Sequence, residues 1–186
     1  MPKPSRMPMI PDGELDAEQK KAVADIIAGP RGSLVGPFVP LLRSPEFMNR
    51  LQRTGEYLRF TSAFEPRLSE LAILITARAW SQNFEWHHHR PIAEKAGLRT
   101  DIIEAIAAAR RPDAMSIDEA AIYDFLDELT RTRNVSDATY RRTLALFGEK
   151  GVIDLIGIHG YYSLLAMILN VTHTSGGVEP ELPPLP

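Results

Sequence analysis

The sequence predicts an all-α fold. Apolar residues recur at three- and four-residue spacings rather than alternating, helix starts and stops divide the chain into helix-length segments, and no strand longer than four residues and no internal repeat can be defended. Asp16 caps a helix through about Ala28, which Gly29-Pro30 stops. Gly29-Pro30-Arg31-Gly32 and Gly36-Pro37-Phe38 bracket a loop and a short helical turn. Ser44-Pro45 has the form of an N-cap followed by proline at the first helical position and opens a helix to about Phe60. Pro66 opens the next in the same way, to about Gln82. Asn83 caps a helix ending at Gly97, Thr100 one to about Arg111, and Ser116 with Glu119 forms a capping box for one to about Arg133. Ser136 opens a helix to Phe147, and a last, very apolar one runs from about Lys150 to Asn170. Residues 1–15 and 175–186 are predicted irregular, the latter carrying four prolines and two glycines and expected to drape over a neighbouring subunit.

A chain of 186 residues and 20.7 kDa holds one domain with a real core, taken here as residues 1–186. Hydrophobic residues at 44% and charged residues at 24% are ordinary for a soluble globular protein. A net charge of −3 and a pI near 6.0 supply no basic footprint for nucleic acid or anionic membrane, so small molecules are the expected partners. The absence of cysteine removes disulfides, thiolate metal sites and thiol catalysis, leaving histidine and carboxylates as the candidates for chemistry. No secretory h-region opens the chain, and Leu71 to Trp80 (broken by Arg78) and Tyr161 to Leu169 fall short of the ~18 residues that span a bilayer. A cytoplasmic location is expected.

The chemistry concentrates in Gln82-Asn83-Phe84-Glu85-Trp86-His87-His88-His89 and in Glu70, a lone carboxylate fifteen residues before Glu85. On a helical projection Trp86, Ile92, Ala93 and Ala96 define the apolar face, with His89 at its centre and Glu85 one turn earlier on the same side. His87, Arg90 and Glu94 point away, and His88 lies at the boundary. Glu70 lines up with Ile73, Leu74, Ala77 and Ser81 on the preceding helix, where an acid is costly unless paired, hydrogen-bonded or protonated. A short turn forces the two helices antiparallel. Glu70 lies three turns down the first and His89 one turn up the second, so a small cavity or a water is expected between them. Pro91 should bend the second helix just after the histidines. Arg78 interrupts the most apolar helix and either pairs with an acid such as Glu70, receives an anionic ligand, or snorkels past its neighbours. A metal held by Glu85 and His89, with His159 and His173 completing the set, is a competing use of these side chains.

At these residues the chain resembles the carboxymuconolactone decarboxylase family, which shares its fold with the AhpD-like alkylhydroperoxidases. The peroxidase branch carries a glutamate, two cysteines three residues apart, and a histidine four residues further on. Here Glu70 matches the glutamate, Gln82 and Glu85 occupy the cysteine positions, and His89 matches the histidine. The spacing survives without either thiol, which rules out a disulfide-relay peroxidase. Phe84-Glu85-Trp86, His89, Pro91-Ile92-Ala93, Ala96-Gly97-Leu98, the Gly-Pro segments near residue 30, Ser44-Pro45-Glu46, Gly160-Tyr161-Tyr162 and Asn170 look like the decarboxylase-type branch.

The resemblance implies an AhpD-like helical domain whose antiparallel helix pair carries the site, and loss of CO₂ from a small lactone acid without metal or cofactor. It assigns His89 as general acid/base, Glu85 as its orienting partner or a second proton carrier, and Glu70 as a buried carboxylate that tunes the imidazole, a carboxylate one turn from the histidine holding it protonated. Trp86, Tyr161 and Tyr162 would line the substrate pocket and Arg78 would receive a substrate carboxylate. The competing functions are a lactone isomerase or hydrolase using the same residues, and a non-catalytic ligand-binding protein. Trimers or hexamers are implied, with the apolar final helix as their seam and a second subunit able to complete the site.

Overall fold

The computed structural model describes residues 4–179 and 181–183; the predicted irregularity of Met1–Lys3, Pro180 and Pro184–Pro186 lies outside the described residues. Among the described residues every regular element is helical: a 3₁₀ turn at Asp12–Glu14, then α1 (Ala17–Ala28), α2 (Phe38–Leu41), α3 (Pro45–Phe60), α4 (Pro66–Ala79), α5 (Asn83–Lys95), α6 (Thr100–Ala107), α7 (Ile117–Thr132) and α8 (Asp137–Thr172).

The starts of these helices are local chemistry. Asp16 accepts a hydrogen bond from Gln19 N at 2.8 Å while Gln19 reaches back to Asp16 N. Proline fills the first position of α3 and α4, where no N–H is needed. The cap of α5 differs from expectation. The Gln82 side chain, not Asn83, accepts from Phe84 N (2.7 Å), which frees Asn83 Oδ1 to accept from Glu181 N and Leu182 N. Glu181 and Leu182 are thereby tied to α5 of their own chain. α6 ends at Ala107, one turn earlier than the sequence predicts, with Ala109 in the left-handed region.

α4 is the central helix. Every residue from Leu68 to Arg78 is buried, with α3, α5, α6, α7 and α8 packed around it, which explains why its sequence is apolar on all sides. It closes in a Schellman motif: Gln82 N donates to Ala77 O (2.8 Å), Ser81 N donates to Arg78 O (2.9 Å), and Ser81 takes the positive φ (47°) usually left to glycine. This tight stop turns the chain straight into α5 and packs the pair antiparallel. α5 continues through Pro91 without interruption and ends in a second Schellman motif with Gly97 at φ +91°.

The two predicted C-terminal helices are joined end to end as α8, broken at Gly148 (φ 67°, ψ 179°) where the sequence places their boundary. Counted across this break, the 36 residues of α8 are by length and composition able to cross a membrane, contrary to the expectation that no stretch reaches that length; half of its most apolar window is buried against the other helices. Asp154 ties the segment after α3 to α8, accepting from Tyr57 Oη (3.0 Å), Ala63 N (2.8 Å) and Lys150 Nζ (2.7 Å).

Candidate active site

Glu70 and His89 meet directly. His89 Nδ1 lies 2.6 Å from Glu70 Oε2, with both side chains buried. At about 1.5 Å of rise per residue Glu70 stands only a few ångströms farther from the turn than His89, and the two side chains close that gap with no intervening water. Arg59, from the last turn of α3, places Nε 3.9 Å from the other oxygen, Glu70 Oε1. Glu70 is thus the group that orients His89, the part expected of Glu85.

Burial pushes the His89 imidazole down, and this outweighs the upward pull of the Glu70 charge and hydrogen bond. The expectation of a protonated imidazole is therefore corrected: a neutral ring donates through Nδ1 to Glu70 and keeps Nε2 as a base. Glu85, one turn earlier, is 2% exposed, and neither of its carboxyl oxygens has a hydrogen-bond partner. Desolvation raises it well above the usual carboxylate range, which favours its protonated form. Two titratable groups at i and i+4 are driven apart in opposite directions, which separates an acid from a base.

Both face a cavity of ≈ 350 Å³ lined also by Arg31, Phe38, Arg59, Phe84, His88 and Tyr162. The Tyr162 ring stands edge-on to His89, centroids 5.1 Å apart. Burial raises its phenol well above the ordinary value. Phe84 forms the wall toward α8. A Cβ added to Gly36 would stand 2.2 Å from Phe84 Cε1, and one on Gly176 would stand 2.3 Å from Cδ2, so two glycines at positive φ grip the ring from both sides. His88 lies parallel to Phe84 at 6.0 Å; although the residue as a whole is exposed, desolvation of its ring and the neighbouring His89 and Arg59 push it down to about 4.

The other sequence candidates fall elsewhere. Adjacent residues on α8 diverge, and Tyr161 turns toward α3, where its Oη accepts from Arg31 Nη2 at 3.1 Å; burial pushes this phenol up to about 12. Trp86 is sealed in the core. Arg78 lies about 80° around α4 from Glu70 at ~100° per residue. It donates to Ser81 Oγ (3.1 Å) and lines a separate cavity with Tyr123 and Asp127, away from His89. His159 sits between Thr76 Oγ1 (3.0 Å) and Thr130 Oγ1 (3.5 Å), and His173 lines a different cavity, so neither joins Glu85 and His89. Among the described residues no three histidine, aspartate or glutamate side chains converge at metal-ligand spacing.

Two cavity cations, Arg31 and Arg59, were not picked out from the sequence. For Arg59 a signal existed: it follows Gly55 and Leu58 on the buried face of α3. Arg31 sits in a loop, where periodicity is silent.

Superposition on solved structures gives the AhpD-like fold: a crystal structure described as the alkylhydroperoxidase AhpD core of an uncharacterized peroxidase-related protein from Ralstonia eutropha JMP134 matches with TM-score 0.74 at 15% identity, over 92% of each chain. Residues 45–128, which hold Glu70, Glu85 and His89, are similar to the carboxymuconolactone decarboxylase family. No curated protein matches the sequence.

Proposed function

We propose that this protein is a cofactor-independent decarboxylase or related lyase acting on a small cyclic, lactone-type carboxylic acid. One observation carries the reading: an imidazole held by Glu70 and a partnerless buried carboxyl lie one turn apart on α5 and face the same small cavity. A cavity of this size suits a single small ring and excludes a polymer. The C–C bond to the departing carboxylate breaks, its electron pair moves into the conjugated carbonyl, and the resulting dienolate takes a proton from the Glu85 hydroxyl at the far carbon. The buried carboxylate left on Glu85 is costly and regains its proton, with His89 as the relay and Glu70 fixing the tautomer.

The neutral base beside a protonated acid favours a second reading, isomerisation, in which His89 removes a proton from one carbon and Glu85 returns one to another. Product analysis separates the two, since only the lyase releases CO₂. The test is CO₂ release from carboxymuconolactone and related lactone acids by the wild type and by His89→Asn. Release by the wild type alone supports the lyase; consumption of the acid with no CO₂ moves the assignment to the isomerase or a hydrolase; binding without turnover leaves a ligand-binding protein.

Self-association belongs to the same proposal. On α8 Ile153, Ile156, Met167 and Val171 are exposed and fall within about 60° of one another at ~100° per residue, an unpartnered apolar stripe. A trimer or hexamer would cover it, and light scattering of the wild type against Ile153→Asp reads this out.

A further inference from the structure

The charges around the cavity do not balance. Arg31 and Arg59 bring two permanent positive charges, against which Glu70 sets one carboxylate already shared between His89 (2.6 Å) and Arg59 (3.9 Å). Desolvation works against charge on Glu85, His89 and His88. One positive charge is left over, and it resides on Arg31. Its Nε is buried with no hydrogen-bond partner, its Nη2 donates to the uncharged Tyr161 phenol, and among the described residues it forms no ion pair. Arg31 is partly exposed, and with its buried Nε unmatched the guanidinium is better placed once an anion pairs with it.

The guanidinium is also held in place. It stacks over the Phe38 ring at 4.7 Å and is tethered by Tyr161. Gly55 of α3 leaves the room it occupies: an added Cβ would meet Tyr161 Oη at 2.1 Å and Arg31 Nη2 at 2.4 Å. A preset guanidinium loses little freedom on binding, and its planar fork matches a carboxylate.

We propose that Arg31 is the substrate-anchoring residue, its guanidinium receiving a carboxylate that the reaction leaves in place. In this the inference rests on the lyase reading. A carboxylate paired to arginine is stabilised as an anion, so anchoring the group that must leave as CO₂ would deepen the ground state and slow the reaction. The departing group belongs instead against the apolar wall of Phe84, Ile92 and Leu165. Arg59, engaged by Glu70, sets the dyad and does not take the anchor's place.

The test is calorimetric binding of 2-furoate and its uncharged isostere 2-furamide at neutral pH, which requires no turnover. The wild type is expected to bind furoate about 10- to 100-fold tighter than furamide, the range of a charge-assisted hydrogen-bonded pair. Arg31→Met should lose that preference while still binding furamide, and Glu85→Gln should keep it. Equal binding of the two probes by the wild type overturns the proposal without any variant being needed, as does a preference that survives in Arg31→Met. Failure of the lyase reading looks different: the furoate preference stands, and no lactone acid yields CO₂.

Discussion

Replacing Glu85 by glutamine should make the protein more stable, and by an amount that grows with pH. The side chain is 2% exposed with both oxygens unpartnered, and desolvation raises its pKa well above 4.5. Above that ordinary value the unfolded chain has lost the proton while the folded chain keeps it. The unfolded state then binds fewer protons, so stability falls as pH rises, by about 1.4 kcal/mol per pH unit until the folded-state pKa is reached. Glutamine has nearly the shape of the protonated acid and pays a similar desolvation cost, but it does not titrate. Urea unfolding of the two proteins should therefore give nearly equal free energies near pH 5. Above pH 5 the variant's lead should widen steadily with pH at that slope. Other titrating groups act on both proteins alike and cancel in the difference. A difference that stays constant from pH 5 to pH 7 would show that Glu85 ionises normally, and the assignment of the acid would fall with it.

Three further outcomes follow from the same geometry. With His89 lowered and Glu85 raised, kcat/KM on an accepted substrate should be bell-shaped, its acid limb below pH 6.5, where His89 gains its proton, and its alkaline limb well above pH 4.5, where Glu85 loses one; a single limb contradicts the pairing. Gly55→Ala should cost about 1–3 kcal/mol in thermal unfolding despite the better helix propensity of alanine, because its Cβ lands on Tyr161 Oη and Arg31 Nη2. Asn83→Ala removes the acceptor for Glu181 N and Leu182 N, and should speed proteolytic clipping after Val178 while shifting global unfolding by no more than about 1–2 kcal/mol.

Much of the fold is written in local signals. Proline at the first turn of α3 and α4, the Asp16–Gln19 box and Gly97 mark boundaries that need no tertiary information. The misplaced details are those set by competition between neighbours, as when Gln82 takes the cap of α5 and Asn83 binds the chain terminus instead. Within the site, Glu70, Glu85 and His89 could be found because a charged residue on an apolar helical face is conspicuous. Their division of labour could not, since spacing along two helices does not say which acid reaches the ring. Arg78 was equally conspicuous, but α4 is buried on every side, so being buried there does not mean facing α5. Arg31 was invisible because only the packing of its loop against Tyr161 and Phe38 carries it to the cavity.

The most direct measurement is decarboxylation of a lactone acid in D₂O, following CO₂ and the deuterium in the product for the wild type and for Glu85→Gln. Proton delivery from one fixed side chain predicts that the wild type places a single deuterium on one face of the accepting carbon and that the variant loses at least a hundredfold in rate, in line with the ~10²–10⁴ contributed by a general acid. Deuterium on both faces, or a variant that turns over as fast as the wild type, would contradict Glu85 as the donor.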